Sequence, residues 1–303
     1  MDVNKWLYDP ERVLDSIQTY REYDLKSVTM SQIQELLQDI INGCLNMTLN
    51  IGDIPVFRVR KIERNEKHTD RKSVWCPEPH IVDKIGRCND VNESIFYGSF
   101  DPLTAIQECR IQPGDYFTMS SYHLKPRNLT HQSTVPLVRP DLCRCTRDQK
   151  IFFRILWEFI LVEFTRPVAE GTEYQYKASC GLSKIFLGLP YKDSLIYPSI
   201  LEFQSLNLAM KEEAARERLI LRDVLEMRLE SYDDDGAAYV SQTAEAKAIS
   251  GRDLLDYEQV SGRDNFKVTR KSFFQGRDHV GELWRSIHQP LPPDYGSQPT
   301  FNG

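Results

Sequence analysis

Residues 86–124 constrain the fold of this chain most, because strand and helix signals follow one another closely there. Residues 94–97 have the composition of a short strand, and Asp101 followed by Pro102 is typical of a helix start, with the helix expected to run to about Arg110. A Gly-Asp pair then indicates a turn before a second strand over 116–124. The chain is therefore expected to pack helices against short strands.

Outside that stretch, apolar spacing predicts further helices and strands. Residues 1–50 are expected to be helical, with Ser31 and Gln34 forming a capping box at the start of an amphipathic helix. The remaining elements are expected as a strand at 54–60, helices at 150–165, 174–187 and 211–216, and strands at 193–200 and 219–229, the last with a bulge near Val224. The Pro-, Arg- and Cys-rich residues 125–148 predict an irregular insertion, and the polar residues after 232 predict a loosely packed or partner-dependent tail.

Composition excludes several classes of function. The chain has 303 residues, of which 41% are hydrophobic, and a formal net charge of −6, so a general nucleic-acid-binding role is not expected. The longest apolar stretch, residues 151–164, is interrupted by Arg154, Glu158 and Glu163, which argues against a membrane span. The polar N-terminus has no signal-peptide pattern, so a cytoplasmic location is expected.

The cysteines are expected to be reduced thiols. There are seven of them and no Cys-x-x-Cys pair. Cys143 and Cys145, with His123 and His131 upstream, are a candidate metal site, but their spacing fits structural zinc badly. We therefore expect no metal site and a pair of free thiols.

Two arginines are candidates for holding phosphate groups. Arg58 lies in the Phe-Arg-Val-Arg strand pattern, and Arg87 follows a glycine. Guanidinium groups bind phosphate oxygens through two parallel hydrogen bonds, which lysine cannot do. Arg60 is a weaker candidate, since strand alternation would direct residues 58 and 60 either both into the cleft or both away from it. The alternative for all three is salt bridging with the many acidic residues on the surface.

Tyr97 and Glu108 supply the other groups needed to cleave a nucleotide's glycosidic bond. A tyrosine offers a flat base or nicotinamide ring a stacking surface, and a carboxylate stabilises the positive charge that develops on the ribose as the bond breaks. A strand tyrosine packed in the core and a solvated helix glutamate paired with Arg110 or Lys61 are the alternatives.

The order of these residues resembles the RES-domain family, named for its Arg, Glu and Ser positions, over roughly residues 51–230. The resemblance is carried by Arg58, Gly86-Arg87-x-Asn89, Tyr97, Thr104-Ala105-x-x-Glu108, Tyr197-Pro198-Ser199 and Asn207. Family members usually have an aromatic residue after the Gly-Arg pair, where this chain has Cys88. This chain is also longer than many family members.

The resemblance implies an α+β fold with an ADP-ribosyltransferase-like split β-core surrounded by helices. An N-terminal helical segment over 1–50, a catalytic domain over 51–232 and a C-terminal extension over 233–303 are then expected. Glu108, Tyr97 and Arg87 would be catalytic. The substrate-binding residues would be Arg58, Arg60, Asn89, Thr104, Ser199 and Asn207, although Thr104 and Ser199 are also explained as a helix-face residue and a turn residue.

The implied activity is NAD degradation. The enzyme would cleave the nicotinamide–ribose bond and pass ADP-ribose to phosphate or water, with NAD as substrate and no separate cofactor. Such proteins are often toxins, so a neutralising antitoxin is an expected partner, and a homo-oligomer is a second expectation. The alternatives are an ADP-ribosyltransferase that modifies a macromolecule and a non-catalytic module that binds a nucleotide or a partner.

Overall fold

The fold is known from a computed structural model of the chain. It describes residues 8–44, 47–49, 54–64, 66, 68, 70–125, 132–135, 145–190, 192–201, 205–248, 255–259 and 265–269. Within these residues the protein is a mixed α+β structure, as the sequence predicts, with helices packed against a largely antiparallel sheet.

Seven α-helices lie within the described residues. They are α1 (Pro10–Glu22), α2 (Met30–Ile41), α3 (Arg71–Val74), α4 (Pro102–Glu108), α5 (Arg147–Thr165), α6 (Lys177–Gly188) and α7 (Glu212–Arg218), with short 3-10 helices at Pro79–Ile81 and Glu173–Tyr176. No helix in these ranges is long and apolar enough to pass through a membrane.

The first two helices confirm part of the predicted helical segment 1–50, but residues 47–49 form a strand and the capping residues differ from the expected pair. Thr29 has an extended backbone and accepts a hydrogen bond from the amide of Gln32, whose side chain caps the Thr29 amide in return. The expected box at Ser31 and Gln34 is therefore wrong by two residues. Both pairs fit the same sequence pattern, and the extended conformation of residue 29 decides between them.

Eleven strands form the sheet in the described part of the chain. They are β1 (Met47–Leu49), β2 (Pro55–Ile62), β3 (Ile95–Ser99), β4 (Tyr116–Leu124), β5 (Gln132–Val135), β6 (Lys192–Pro198), β7 (Leu206–Lys211), β8 (Leu219–Tyr232), β9 (Ala238–Ala248), β10 (Leu255–Gln259) and β11 (Asn265–Val268). Their order is β1-β5-β6-β7-β3-β2-β4-β8-β9-β10, with β11 also pairing with β9. Among the strand pairs that the structure describes, only β5 and β6 are parallel.

The sheet consists of two halves with a narrow connection. Strands β2 and β4 pair over eight register positions, from Pro55 opposite His123 to Ile62 opposite Tyr116. Strands β2 and β3, by contrast, are paired only at Phe57 opposite Ser99. The two halves therefore separate on either side of that pair.

Two main buried clusters pack against the sheet. The larger one joins α1, α2, α5 and α6 to β3, β6 and β7 and extends to Val56 of β2 and Tyr122 of β4. A smaller cluster packs Leu103 and Ile106 of α4 against Phe117, Met227 and Val240 of β4, β8 and β9. Helix α4 thus lies over the half that contains β2, next to the connection between the halves.

One expectation about the strands is confirmed and two are wrong. The predicted bulge in β8 is present, because Ser121 pairs with Asp223 while Tyr122 pairs with Leu221. Residues 132–135, expected to be irregular, form β5 between β1 and β6. Residues 238–248, expected to be a loosely packed tail, form β9, which pairs with β8 from Asp223 to Tyr232. The buried positions of β9 are mainly alanines, which have weak strand propensity, so its period-two pattern is easily overlooked.

Candidate functional site

A cavity of about 280 Å³ lies at the narrow connection between the two halves of the sheet. Strands β2 and β3 contribute adjacent residues to its wall, and the C-terminal end of α4 closes another side. The lining residues are Phe57, Arg58, Val59, Arg87, Tyr97, Gly98, Ser99, Ala105, Glu108, Cys109, Arg110, Tyr176, Tyr197, Ile200, Leu201 and Asn207. Five of the predicted site residues are therefore brought together: Arg58, Arg87, Tyr97, Glu108 and Asn207.

Arg58 reaches the cavity from β2. Its Nη1 donates to the carbonyl oxygen of Tyr97 at 2.8 Å, and its guanidinium lies 5.5 Å from the centre of the Phe96 ring. These contacts hold the side chain across the gap between β2 and β3. Within the described residues it has no ion-pair partner, so its charge is not neutralised by a neighbouring carboxylate.

Arg60 does not line the cavity, although Arg58 does, so the expectation that both or neither would enter it is wrong, and so is the assignment of Arg60 to substrate binding by position. Its Nη2 donates to the carbonyl oxygen of Trp75 at 2.5 Å. Burial, followed by repulsion from Arg58, lowers the pKa of Arg60 to about 10. Residues 58 and 60 lie on the same face of β2, but arginine side chains are long and flexible, so the two guanidinium groups reach different partners.

Arg87 is held by the end of the long helix α5. Its Nη1 donates to the carbonyl oxygen of Phe164, and its Nη2 donates to that of Arg166 at 3.3 Å. Carbonyl groups in the last turn of a helix lack partners within the helix and carry partial negative charge, so they suit a guanidinium. On another side, the Tyr176 ring centre lies 5.1 Å from the guanidinium carbon. These contacts hold the guanidinium group of Arg87 in one orientation.

Tyr97 lines the cavity, and its hydroxyl group is hydrogen-bonded inside the protein. The hydroxyl accepts from the amide of Cys88 at 2.8 Å and donates to Oδ1 of Asn89 at 2.9 Å. Burial raises the pKa of Tyr97 well above its usual value, so the hydroxyl remains a donor. Asn89 therefore positions Tyr97 and does not line the cavity itself.

The glycine before Arg87 is required by this arrangement. A Cβ at Gly86 would lie 2.3 Å from Oδ1 of Asn89, which is closer than real atoms approach. The amide of Gly86 also donates to the carbonyl oxygen of Asn89 at 2.9 Å. The Gly-Arg-x-Asn pattern is therefore a local turn that holds the Tyr97 hydroxyl.

Glu108 is the last residue of α4 and is held by two neutral side chains. Its Oε1 accepts from Oγ of Ser199 at 2.5 Å and from Nδ2 of Asn207 at 2.9 Å. Ser199 follows β6 and Asn207 belongs to β7, so both donors come from the other half of the sheet. In the described part of the structure Oε2 of Glu108 has no hydrogen bond, and one carboxylate oxygen is left for a ligand.

Thr104 does not reach the cavity, which corrects its assignment to substrate binding by position. It is fully buried, and its hydroxyl donates to Oδ1 of Asp101 at 3.0 Å. The same Asp101 oxygen accepts from the Thr104 amide at 2.8 Å. Thr104 and Asp101 together fix the start of α4, and so they fix the direction of the helix that carries Glu108.

Several lining residues were not predicted from the sequence. Tyr176 ends the 3-10 helix before α6, and no local pattern distinguishes it from the other tyrosines. Tyr197 lies inside the quoted Tyr-Pro-Ser pattern, so its position in the chain was a usable signal. Phe57, Arg110, Ile200 and Leu201 complete the wall. The cavity therefore combines aromatic surface with charged groups.

The arrangement suits a ligand that has both a flat ring and negative charge. The lining carries three arginines and one glutamate, so its formal charge is +2. Among the described residues, no cluster of His, Cys, Asp or Glu is able to hold a metal ion, and Cys143 and His131 lie outside those residues. A comparison of the chain with protein-family models finds no match, and a comparison with curated proteins finds no match either.

Proposed function

We propose that this protein degrades NAD by cleaving the bond between nicotinamide and ribose and passing ADP-ribose to phosphate or water. The observation that carries the proposal is the meeting of Arg58, Arg87, Tyr97 and Glu108 in one cavity. Together they supply two guanidinium groups, an aromatic ring and a carboxylate.

The arginines supply the binding of the diphosphate. Neither Arg58 nor Arg87 forms an ion pair within the described residues, although each is held by backbone carbonyl groups. A guanidinium that is already oriented loses little entropy when it binds phosphate. The diphosphate of a dinucleotide would supply the negative charge that pairs with these two arginines.

Glu108 supplies the negative charge next to the ribose. The nicotinamide of NAD is a cation that leaves as a neutral molecule, so its departure needs no strong acid. As the C–N bond breaks, its electron pair moves to the nicotinamide nitrogen and positive charge develops on the ribose. Because Ser199 and Asn207 hold one oxygen of Glu108, the other is oriented for a ribose hydroxyl before the substrate arrives.

The second half of the reaction forms a new C–O bond. An oxygen of water or of inorganic phosphate attacks the same ribose carbon, and a water nucleophile then loses its proton to solvent. Tyr97 and Tyr176 offer aromatic surface for the nicotinamide ring, since both line the cavity.

The wider proposal follows the resemblance to RES-domain proteins. The single pair of register positions between β2 and β3 supports an ADP-ribosyltransferase-like split core. An enzyme that removes NAD harms its own cell, so we include in the proposal a toxin function in the cytoplasm with a neutralising protein partner.

The direct test is to incubate the purified protein with NAD, with and without inorganic phosphate, and to separate the products. Loss of NAD with release of nicotinamide is expected in both conditions. Free ADP-ribose indicates water as acceptor, and ADP-ribose 1-phosphate indicates phosphate. Transfer of labelled ADP-ribose to a macromolecule would instead show a transferase. No loss of NAD by folded protein at high concentration would overturn the proposal.

Replacing Glu108 with Gln tests the catalytic carboxylate. We expect kcat to fall by about 10²–10³-fold, because the amide keeps the shape but not the charge. The fold should be retained, since Gln still accepts from Ser199 and Asn207 through its carbonyl oxygen. Glu158→Gln, which changes an exposed glutamate paired with Arg154 on α5, is the control and should keep full activity. Unchanged turnover in Glu108→Gln would remove Glu108 from the mechanism.

A further inference from the structure

Arg110 has a backbone conformation that its side chain disfavours. Its φ is 52°, and the only other non-glycine residue with positive φ in the described part of the chain is Asn92, at 60°. Asparagine tolerates this left-handed region, whereas a long side chain adopts it at a cost. The position of Arg110 therefore needs an explanation.

The local structure shows why a left-handed residue is required. The amide of Arg110 donates to the carbonyl oxygen of Gln107 at 2.8 Å, and the amide of Ile111 donates to that of Ile106 at 3.4 Å. This pair of bonds is the Schellman ending of a helix, in which glycine usually occupies the residue that Arg110 occupies here. Glycine would adopt this positive φ without strain, so the helix ending does not explain why the residue is an arginine.

Arg110 is an exposed residue of the cavity lining, which places it at the mouth. Arg110, Cys109 and Leu201 are the exposed lining residues, whereas Ser99, Tyr197 and Asn207 are buried at its inner end. Within the described residues the Arg110 guanidinium has no hydrogen-bond acceptor and no ion-pair partner. It lies two residues after Glu108, on the same turn that ends α4.

We propose that Arg110 is a substrate-binding residue that contacts a phosphate group of the ligand where the ligand leaves the cavity. This rests on the proposed function, since it takes the ligand to be a nucleotide with a diphosphate. Arg58 and Arg87 hold that group from the walls, and Arg110 adds a third cation from the mouth. An unfavourable backbone conformation in a residue next to a binding cavity indicates that the side chain of this residue has a function.

The proposal predicts opposite effects of one substitution on stability and on binding. Arg110→Gly relieves the backbone and should raise Tm by about 2 °C. The same change should weaken binding of ADP-ribose roughly tenfold, because a charge-assisted hydrogen bond is lost. Arg110→Lys should retain part of the affinity, since it keeps the charge but not the two-pronged geometry.

The experiment measures ADP-ribose binding by isothermal titration calorimetry together with thermal unfolding, so no turnover is needed. Asn92→Gly is the matched control, because it relieves the same backbone region in a residue that does not line the cavity. It should leave the affinity unchanged. Equal affinity in Arg110→Gly and the unaltered protein would overturn this inference alone. Failure of the unaltered protein to bind ADP-ribose would overturn both this inference and the proposed function.

Discussion

At the scale of single residues, the side chains that line the cavity are held in place by hydrogen bonds from other side chains and from the backbone. Glu108 has one oxygen fixed by Ser199 and Asn207, while the Tyr97 hydroxyl is occupied by Cys88 and Asn89. The sequence indicated that Glu108, Tyr97, Ser199, Asn207 and Asn89 belong to one site. It did not predict that Asn89 serves Tyr97, because this depends on the conformation of the turn that begins at Gly86.

Tyr97→Phe tests whether the hydroxyl is structural. The substitution leaves the Cys88 amide and Oδ1 of Asn89 without a partner, so the free energy of unfolding should fall by about 1–3 kcal/mol. The ring remains, so the affinity for ADP-ribose should change little. Chemical denaturation and calorimetry measure the two quantities. A large loss of kcat at unchanged stability would show instead that the hydroxyl takes part in the reaction.

At the scale of elements, the end of α5 connects the N-terminal helices to the cavity. Glu163 is 4% exposed, accepts from Nη2 of Arg166 at 2.6 Å, and lies close to Tyr20 of α1. The backbone carbonyl of Arg166 accepts in turn from Arg87. The apolar pattern predicted α5 correctly, but no pattern within the helix indicates that its last carbonyl groups hold an arginine from a distant loop.

The buried Glu163 predicts a dependence of stability on pH. Burial raises its pKa above the ordinary 4.5, and the charge of Arg166 opposes this only in part. The folded state therefore holds the proton more tightly than the unfolded state does. This contribution to stability is complete below pH 4.5 and is lost as pH rises through the folded-state pKa.

Glu163→Gln isolates this contribution, because glutamine does not titrate. The difference in unfolding free energy, unaltered protein minus variant, should become smaller as pH rises above 4.5. Urea unfolding at several pH values provides the measurement. A difference that grows with pH would mean that the charged form of Glu163 is the better-stabilised one in the folded protein.

At the scale of the whole molecule, the cavity exists because the two halves of the sheet meet at a single pair of residues. Gly98 lies beside this pair, and a Cβ there would be 2.4 Å from Cγ1 of Val56 and 3.3 Å from the backbone carbonyl of Phe57. The close approach of β2 and β3 therefore requires glycine at this position.

Gly98→Ala should push the two halves apart. We expect a loss of about 1–3 kcal/mol in the free energy of unfolding, together with weaker ADP-ribose binding, since Arg58 and Tyr97 lie on the two separated strands. Gly188→Ala is the control, because a Cβ there would meet no atom within 4 Å and alanine favours the helix. Normal stability and affinity in Gly98→Ala would show that the connection tolerates expansion.

The sequence by itself determined the described α-helices except the short α3, and five of the eleven described strands, namely β2, β3, β4, β6 and β8. Periodicity, caps and turn residues act between close neighbours in the chain, so they give no signal for the six strands whose sequences lack a clear pattern. The sequence also determined which side chains carry the relevant charges, including Arg58, Arg87 and Glu108. Only the tertiary structure decided that these side chains share a cavity with Tyr176 and that Arg60 and Thr104 do not. Those outcomes depend on pairing between strands distant in sequence and on the packing of α5 against the Arg87 turn, which no local pattern encodes.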